Sequence, residues 1–135
     1  VRPNAGLPFA PVAETASGGE LSRIALAIAA VAGGDTLVFD EIDAGIGGHA
    51  ARAVGARLHE LAESTQLLCI THLPQIASLA DRHFSIVKET ADALARTTVV
   101  QLGEREVVSE LVRMLGADAQ DTVARRHARD LRRAA

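Results

Sequence analysis

Two adjacent carboxylates, Asp40 and Glu41, close the short apolar run Thr36-Leu37-Val38-Phe39. A core strand has no use for charge at its end, and neighbouring carboxylates repel unless a cation is near. A Mg²⁺ ion and an attacking water would use both groups, one to hold the metal and one to polarise the water. One helix length upstream, Ser17-Gly18-Gly19-Glu20 sets a glycine-rich turn at a helix start. Bare N–H groups and the positive end of the helix can hold a phosphate there. Downstream, the run Gln66–Thr71 leads directly into His72. If the two apolar runs are parallel strands, the imidazole shares an edge with the carboxylates, at the strand ends where ligands sit in open α/β sheets. These residues predict one half of a nucleotide-hydrolysing site. Asp40, Glu41 and His72 should crowd one rim, and the turn at Gly18 and Gly19 should offer its amides outward to a neighbouring molecule.

Each feature also has a plainer explanation. Ser17 with Glu20 forms a capping box. That accounts for both of them but not for two glycines in the first helical turn, since glycine costs up to about 1 kcal/mol against alanine inside a helix. Acidic residues commonly end strands, and a single histidine more often packs than reacts. The weight lies in the three features occurring together.

The surrounding pattern predicts the elements that position these residues. Residues 1–15, with Pro3, Pro8 and Pro11, read as an irregular entry. Leu21, Ile24, Ala25 and Ile28 follow helical spacing up to Gly33-Gly34. Thr36–Asp40 and Gln66–Thr71 read as strands buried on both faces. The helix between them is striped by Ala51, Val54, Leu58 and Leu61, after the glycine-rich loop Ala44–Gly48. Strand, helix and strand at this length predict a parallel βαβ unit. Pro74 opens a short helix to about Leu79. Phe84–Lys88 and Thr97–Leu102 read as two strands joined by a polar turn. Glu104–Leu115 reads as an amphipathic helix with Val108, Leu111, Val112 and Leu115 on one side, and a last helix starts at Thr122 behind Asp121.

Composition narrows the classes of function. The 135 residues make one domain or part of one, with a formal net charge of -3 and 48% hydrophobic residues. Three phenylalanines are the sole aromatics, which leaves little for stacking on bases. A single cysteine, Cys69, allows no intrachain disulfide, reads as a packed core residue and fits a reducing cytoplasm. No apolar run reaches membrane-spanning length, so no membrane partner is expected. The arginines at 125, 126, 129, 132 and 133 read either as a solvated helix face or as a contact for the phosphate backbone of DNA.

The order of these motifs, a Ser-Gly-Gly turn, a strand with Asp-Glu, a glycine-bearing loop and a strand with Thr-His, resembles the ATP-binding-cassette ATPase heads. The segments Ala16–Arg23, Phe39–Gly48 and Thr71–Ala77 resemble more narrowly the RecN family of bacterial SMC-like DNA repair ATPases. The resemblance implies an α/β fold: the C-terminal lobe of a P-loop NTPase head, with a mostly parallel sheet flanked by helices. It divides the chain into an entry segment (1–15), a region carrying the motifs (16–83) and C-terminal strands and helices (84–135). It further implies that Ser17, Gly18 and Gly19, with Glu20, form a signature motif facing a nucleotide on a second head. Asp40 would hold Mg²⁺, and Glu41 would polarise the attacking water. Asp43 and Gly45 would belong to the D-loop at the head–head interface, and His72 would be the switch histidine. The implied cofactors are ATP and Mg²⁺. The implied partners are an N-terminal head lobe with coiled coil, a second head in a homodimer, and DNA. The implied place of action is the bacterial cytoplasm.

One expected part is missing from the sequence. No Gly-x-x-x-x-Gly-Lys-Ser/Thr occurs, and the one lysine, Lys88, has no glycine cradle. The chain alone is therefore expected not to hydrolyse ATP, and its sheet is expected to show an unpaired edge. Other SMC-like or RecF-like heads, and a non-catalytic module docking on a partner's nucleotide, remain as alternative readings.

Overall fold

The computed structural model describes residues 1–2, 6–91 and 94–134. They form two compact units, Val1–Ile76 and Ala77–Ala135. The entry segment includes one turn of helix that its prolines had not suggested, α1 (Val12–Thr15), which begins directly after Pro11. Pro3 lies outside the described residues.

In the first unit, α2 (Gly18–Ala32) starts at Ser17 with the expected capping box. The Ser17 hydroxyl accepts from the Glu20 amide at 3.3 Å, and the Glu20 carboxylate accepts from the Ser17 amide at 2.8 Å. Strand β1 (Thr36–Asp40) pairs in parallel with the later strand β2 (Gln66–Ile70), and Asp40 lies opposite Ile70. The connection runs through α3 (Gly48–Ala62), which buries Ala51, Val54 and Leu58. A short helix, α4 (Pro74–Ala77), follows β2. The core joins Leu26, Phe39, Ile42, Val54, Leu58 and Ile76, with Leu37, Leu67 and Cys69 packed against it. Burial pushes the Cys69 thiol up to about 11, and the charge of Asp43 adds to it. The thiol thus stays protonated near neutrality and serves as a small apolar side chain.

Two expectations about this unit are corrected. The strands are buried on one face, not both. Leu37 and Phe39 turn to the core, whereas Val38 is 65% exposed and Leu68 and Ile70 are exposed beside it. The paired strands have helical cover on one side among the described residues, so alternate residues of an apolar run remain open. The buried face of α2 also differs from the stripe the spacing suggested. Gly19 and Leu26 turn inward, while Leu21, Ile28 and Val31 are exposed. The helix is apolar on most of its circumference, so periodicity alone does not select a face. The unpaired sheet edge is present, since each sheet has two strands among the described residues.

In the second unit, β3 (His83–Ala91) and β4 (Leu94–Leu102) pair antiparallel. Both strands are longer than the sequence suggested, and residues 92 and 93 of the expected polar turn lie outside the described residues. Helix α5 (Glu104–Met114) packs on α6 (Thr122–Arg133) around Val107, Leu111, Val112 and Ala128. Asp121 caps α6 by accepting from the amides of Val123 at 2.8 Å and Ala124 at 3.0 Å. Arg132 turns back from α6. Its guanidinium donates to the Ser78 carbonyl at 3.0 Å, to the Ala80 carbonyl at 2.6 Å and to Glu104 at 3.4 Å.

His83 sits at this junction with Nε2 buried and without a hydrogen-bond partner among the described residues. Burial, followed by the nearby charge of Arg132, lowers its pKa from the ordinary histidine value of about 6.5. A base whose folded pKa is lowered takes up a proton more readily when unfolded. Stability is therefore full above the unfolded value and is lost as pH falls below about 6.5. His83→Gln is expected to flatten that loss in denaturation midpoints measured between about pH 8 and pH 5. An unchanged slope would show that His83 is not its source.

Candidate functional site

The site is built where β1 and β2 end together. Parallel pairing sets Asp40 beside Ile70, and the Glu41 amide continues the ladder by donating to the Ile70 carbonyl at 3.2 Å. Both carboxylate residues are exposed at this rim. The chain then turns sharply. Glu41 has a φ of 49°, in the left-handed region where a residue with a Cβ is strained by roughly 1–2 kcal/mol. This turn sends Ile42 into the core and Asp43 beneath the end of β2. The loop closes through the Ala44 amide donating to the Glu41 carbonyl at 3.0 Å and the Ile46 amide donating to the Asp43 carbonyl at 3.1 Å. Gly45 supports the same turn with a φ of 70°.

Asp43 is the centre of the arrangement. It has no exposed surface, and its Oδ2 accepts from the hydroxyl of Thr71 and from the amides of His72 at 3.0 Å and Leu73 at 3.2 Å. The same oxygen lies 3.3 Å from His72 Nδ1, while the His72 side chain is 70% exposed. Thr71 is fixed in turn, because its hydroxyl accepts from the Leu73 amide at 3.0 Å. One carboxylate therefore gathers three consecutive residues at the end of β2. The sequence did not single out Thr71, and the resemblance implied for Asp43 a place in the D-loop at a head–head interface, whereas its side chain here points inward. The legible signal was the acid itself, set between Ile42 and Ala44 in an otherwise apolar and glycine-rich stretch.

The two glycines of the turn before α2 are placed differently. Gly18 is exposed, and a Cβ there would meet open space. Gly19 is buried, and a Cβ there would lie 2.9 Å from the Ala44 carbonyl oxygen and 3.2 Å from the Ile46 side chain. The loop 43–46 thus touches α2 on one side and the end of β2 on the other. Ser17 is engaged as well: its hydroxyl donates to Glu20 at 2.8 Å. These bonds from Ser17 hold the Glu20 carboxyl below its usual range. A phosphate approaching Ser17 would compete with the carboxylate already seated there.

Two substitutions read this geometry through stability. Gly19→Ala forces a Cβ against a backbone oxygen and is expected to lower the denaturation midpoint clearly, whereas Gly18→Ala is expected to be neutral or slightly stabilising. Equal effects of the two in thermal denaturation would contradict the packing. Glu41→Asn places a residue that tolerates the left-handed region at the strained turn, and it should raise stability by up to about 1 kcal/mol. A loss of stability there would show that the Glu41 side chain holds the turn together.

No protein-family model matches the chain. The DNA repair protein RecN of Streptomyces coelicolor is 47% identical over 133 residues, which is 96% of this chain and 23% of that protein. RecN of Bacillus subtilis is 39% identical over 132 residues, covering 95% of this chain and 23% of that protein. RecN of Deinococcus radiodurans is 45% identical over 130 residues, with the same coverage of 95% and 23%. A solved structure from work on the ATP-driven dimerization and DNA-stimulated activation of SMC ATPases superposes with a TM-score of 0.60 at 23% identity, covering 84% of this chain and 70% of its own. At that identity the superposition carries the fold alone. Over nearly its whole length the chain is thus similar to RecN proteins, of which it spans about 23%, and its α/β fold is like that of part of the solved SMC ATPase structure.

Proposed function

We propose that this chain is the C-terminal lobe of a RecN-type ATPase head, supplying hydrolytic and sensing residues to ATP sites that other parts of a longer protein complete. The observation that carries the reading is the shared rim: Asp40 and Glu41 leave β1 where Thr71 and His72 leave β2, and Asp43 ties the two chain segments together. Phosphoryl transfer asks mainly for positioning and charge stabilisation, and a rim that brings acid and imidazole to the ends of paired strands supports both.

In this reading Glu41 orients the attacking water, and His72 reaches the γ-phosphate from the end of β2. Ser17 and Gly18 face the phosphate of a nucleotide carried by a second head. Gly19 and Gly45 keep the signature turn and the D-loop in contact. Asp43 acts from inside, since its side chain reaches no solvent. Asp40 suits Mg²⁺. It is an exposed oxygen donor at the end of β1. Mg²⁺ binds through one or two carboxylates, retained waters and substrate phosphates, so such a donor fits it. When bound, the ion would offset the negative charge of the phosphates. The relatives' DNA repair role comes to this chain as part of the same proposal, with DNA as the partner of the assembled protein in the bacterial cytoplasm.

In the longer protein, Glu41→Gln is expected to lower kcat by roughly 10²–10⁴-fold, the usual worth of a positioned base, while ATP binding is retained. An unchanged kcat would remove Glu41 from the chemistry. The 135-residue chain alone should show no turnover, because its sequence contains no phosphate-cradling lysine loop. Turnover by the chain alone that Glu41→Gln abolished would overturn the divided-site reading.

A further inference from the structure

We infer that Asp43 is a positioning residue for His72, holding a proton on Nδ1 so that Nε2 is the nitrogen presented at the rim. The proposed task of His72 rests on the ATPase reading above, but the pairing itself does not.

Three observations carry it. The Asp43 Oδ2 atom lies 3.3 Å from His72 Nδ1, which places the acid against that side of the ring. The same oxygen also accepts the His72 amide at 3.0 Å, so backbone and ring are referred to one fixed atom. The acid is wholly buried, while the ring is 70% exposed, which leaves the side of Nε2 open. Burying a carboxylate is costly unless its charge is used. A neutral side chain could accept backbone amides as well. The carboxylate adds an acceptor-only oxygen next to the ring, toward which Nδ1 is matched as an N–H and mismatched as a lone pair. All of its bonds fall on Oδ2, whereas Oδ1 is buried with no partner among the described residues. The side chain is thus oriented toward the residues at 71–73.

The consequence is a defined chemical state. A free imidazole in water favours the proton on Nε2. Asp43 reverses that preference and turns the Nε2 lone pair toward the open rim. There the Nε2 lone pair can accept a hydrogen bond from a group that approaches the rim.

The test is the tautomer of His72 in the ¹⁵N-labelled 135-residue chain, read from long-range ¹H–¹⁵N correlations at about pH 8.5, well above the ordinary histidine range. Wild type should show a protonated-type Nδ1 and an unprotonated-type Nε2. Asp43→Asn keeps an oxygen for the backbone amides and should shift the tautomer ratio toward Nε2–H by roughly tenfold, with the rest of the amide spectrum retained. A wild-type His72 protonated on Nε2, or a ratio that Asp43→Asn leaves unchanged, would overturn the inference. If Asp43→Asn does not fold, the wild-type tautomer decides alone. Loss of the ATPase reading through Glu41→Gln would leave this readout untouched, so the two failures are distinguishable.

Discussion

A single buried oxygen, Oδ2 of Asp43, fixes where the rim lies. It joins the turn that leaves β1 to three consecutive residues at the end of β2. Parallel pairing aligns the two strands but stops at Asp40 and Ile70, and beyond that point both segments are loops. Without the carboxylate, two amides and a hydroxyl would lose a partner at the edge of the core, each at a cost of about 1–3 kcal/mol. The loop it anchors also presses on Gly19, so the start of α2 takes its position from the same place. The turn after β1, the end of β2 and the start of α2 thus meet around one internal contact.

Much of this was legible in the sequence because the signals are local. The capping box at Ser17 and Glu20, the two strand cores, the stripe of α3 and the Asp121 cap of α6 each depend on neighbours within a few residues. The failures share another cause. The buried face of α2 could not be read, because a helix apolar on most sides is turned by its contacts, here the approach of Gly19 to Ala44. The strands looked buried on both faces because hydrophobic patterning does not record which neighbour covers a face. The inward role of Asp43 depends on residues about 30 positions away, which no local pattern contains. Its partner Thr71 was invisible for the same reason.

The arginines at the end of the chain show how composition misstates availability. Five of them read as one basic cluster, yet Arg132 is half-buried against the carbonyls of Ser78 and Ala80. Arg125 donates to the Ala119 carbonyl at 3.1 Å, and Arg126 lies 4.0 Å from Asp130. A guanidinium spent on backbone oxygens holds the fold and contributes little to a surface potential. The cluster is therefore partly a structural fastening of α6, and the exposed remainder is smaller than the sequence suggests.

Two costs fall within three residues of each other, and their proximity is informative. Glu41 holds a backbone conformation that glycine or asparagine would adopt more easily, and Asp43 carries a carboxyl group with no access to water. A loop selected only to connect β1 to α3 would need neither. Strain and buried charge persist where the surrounding structure enforces them and where the arrangement serves something besides stability. Here they act on opposite sides of the same turn. The strain sets one carboxylate out at the rim while the chain dives inward, and the buried acid brings an imidazole to that rim from the neighbouring strand. The sharp turn at Glu41 is what allows a single short loop to do both.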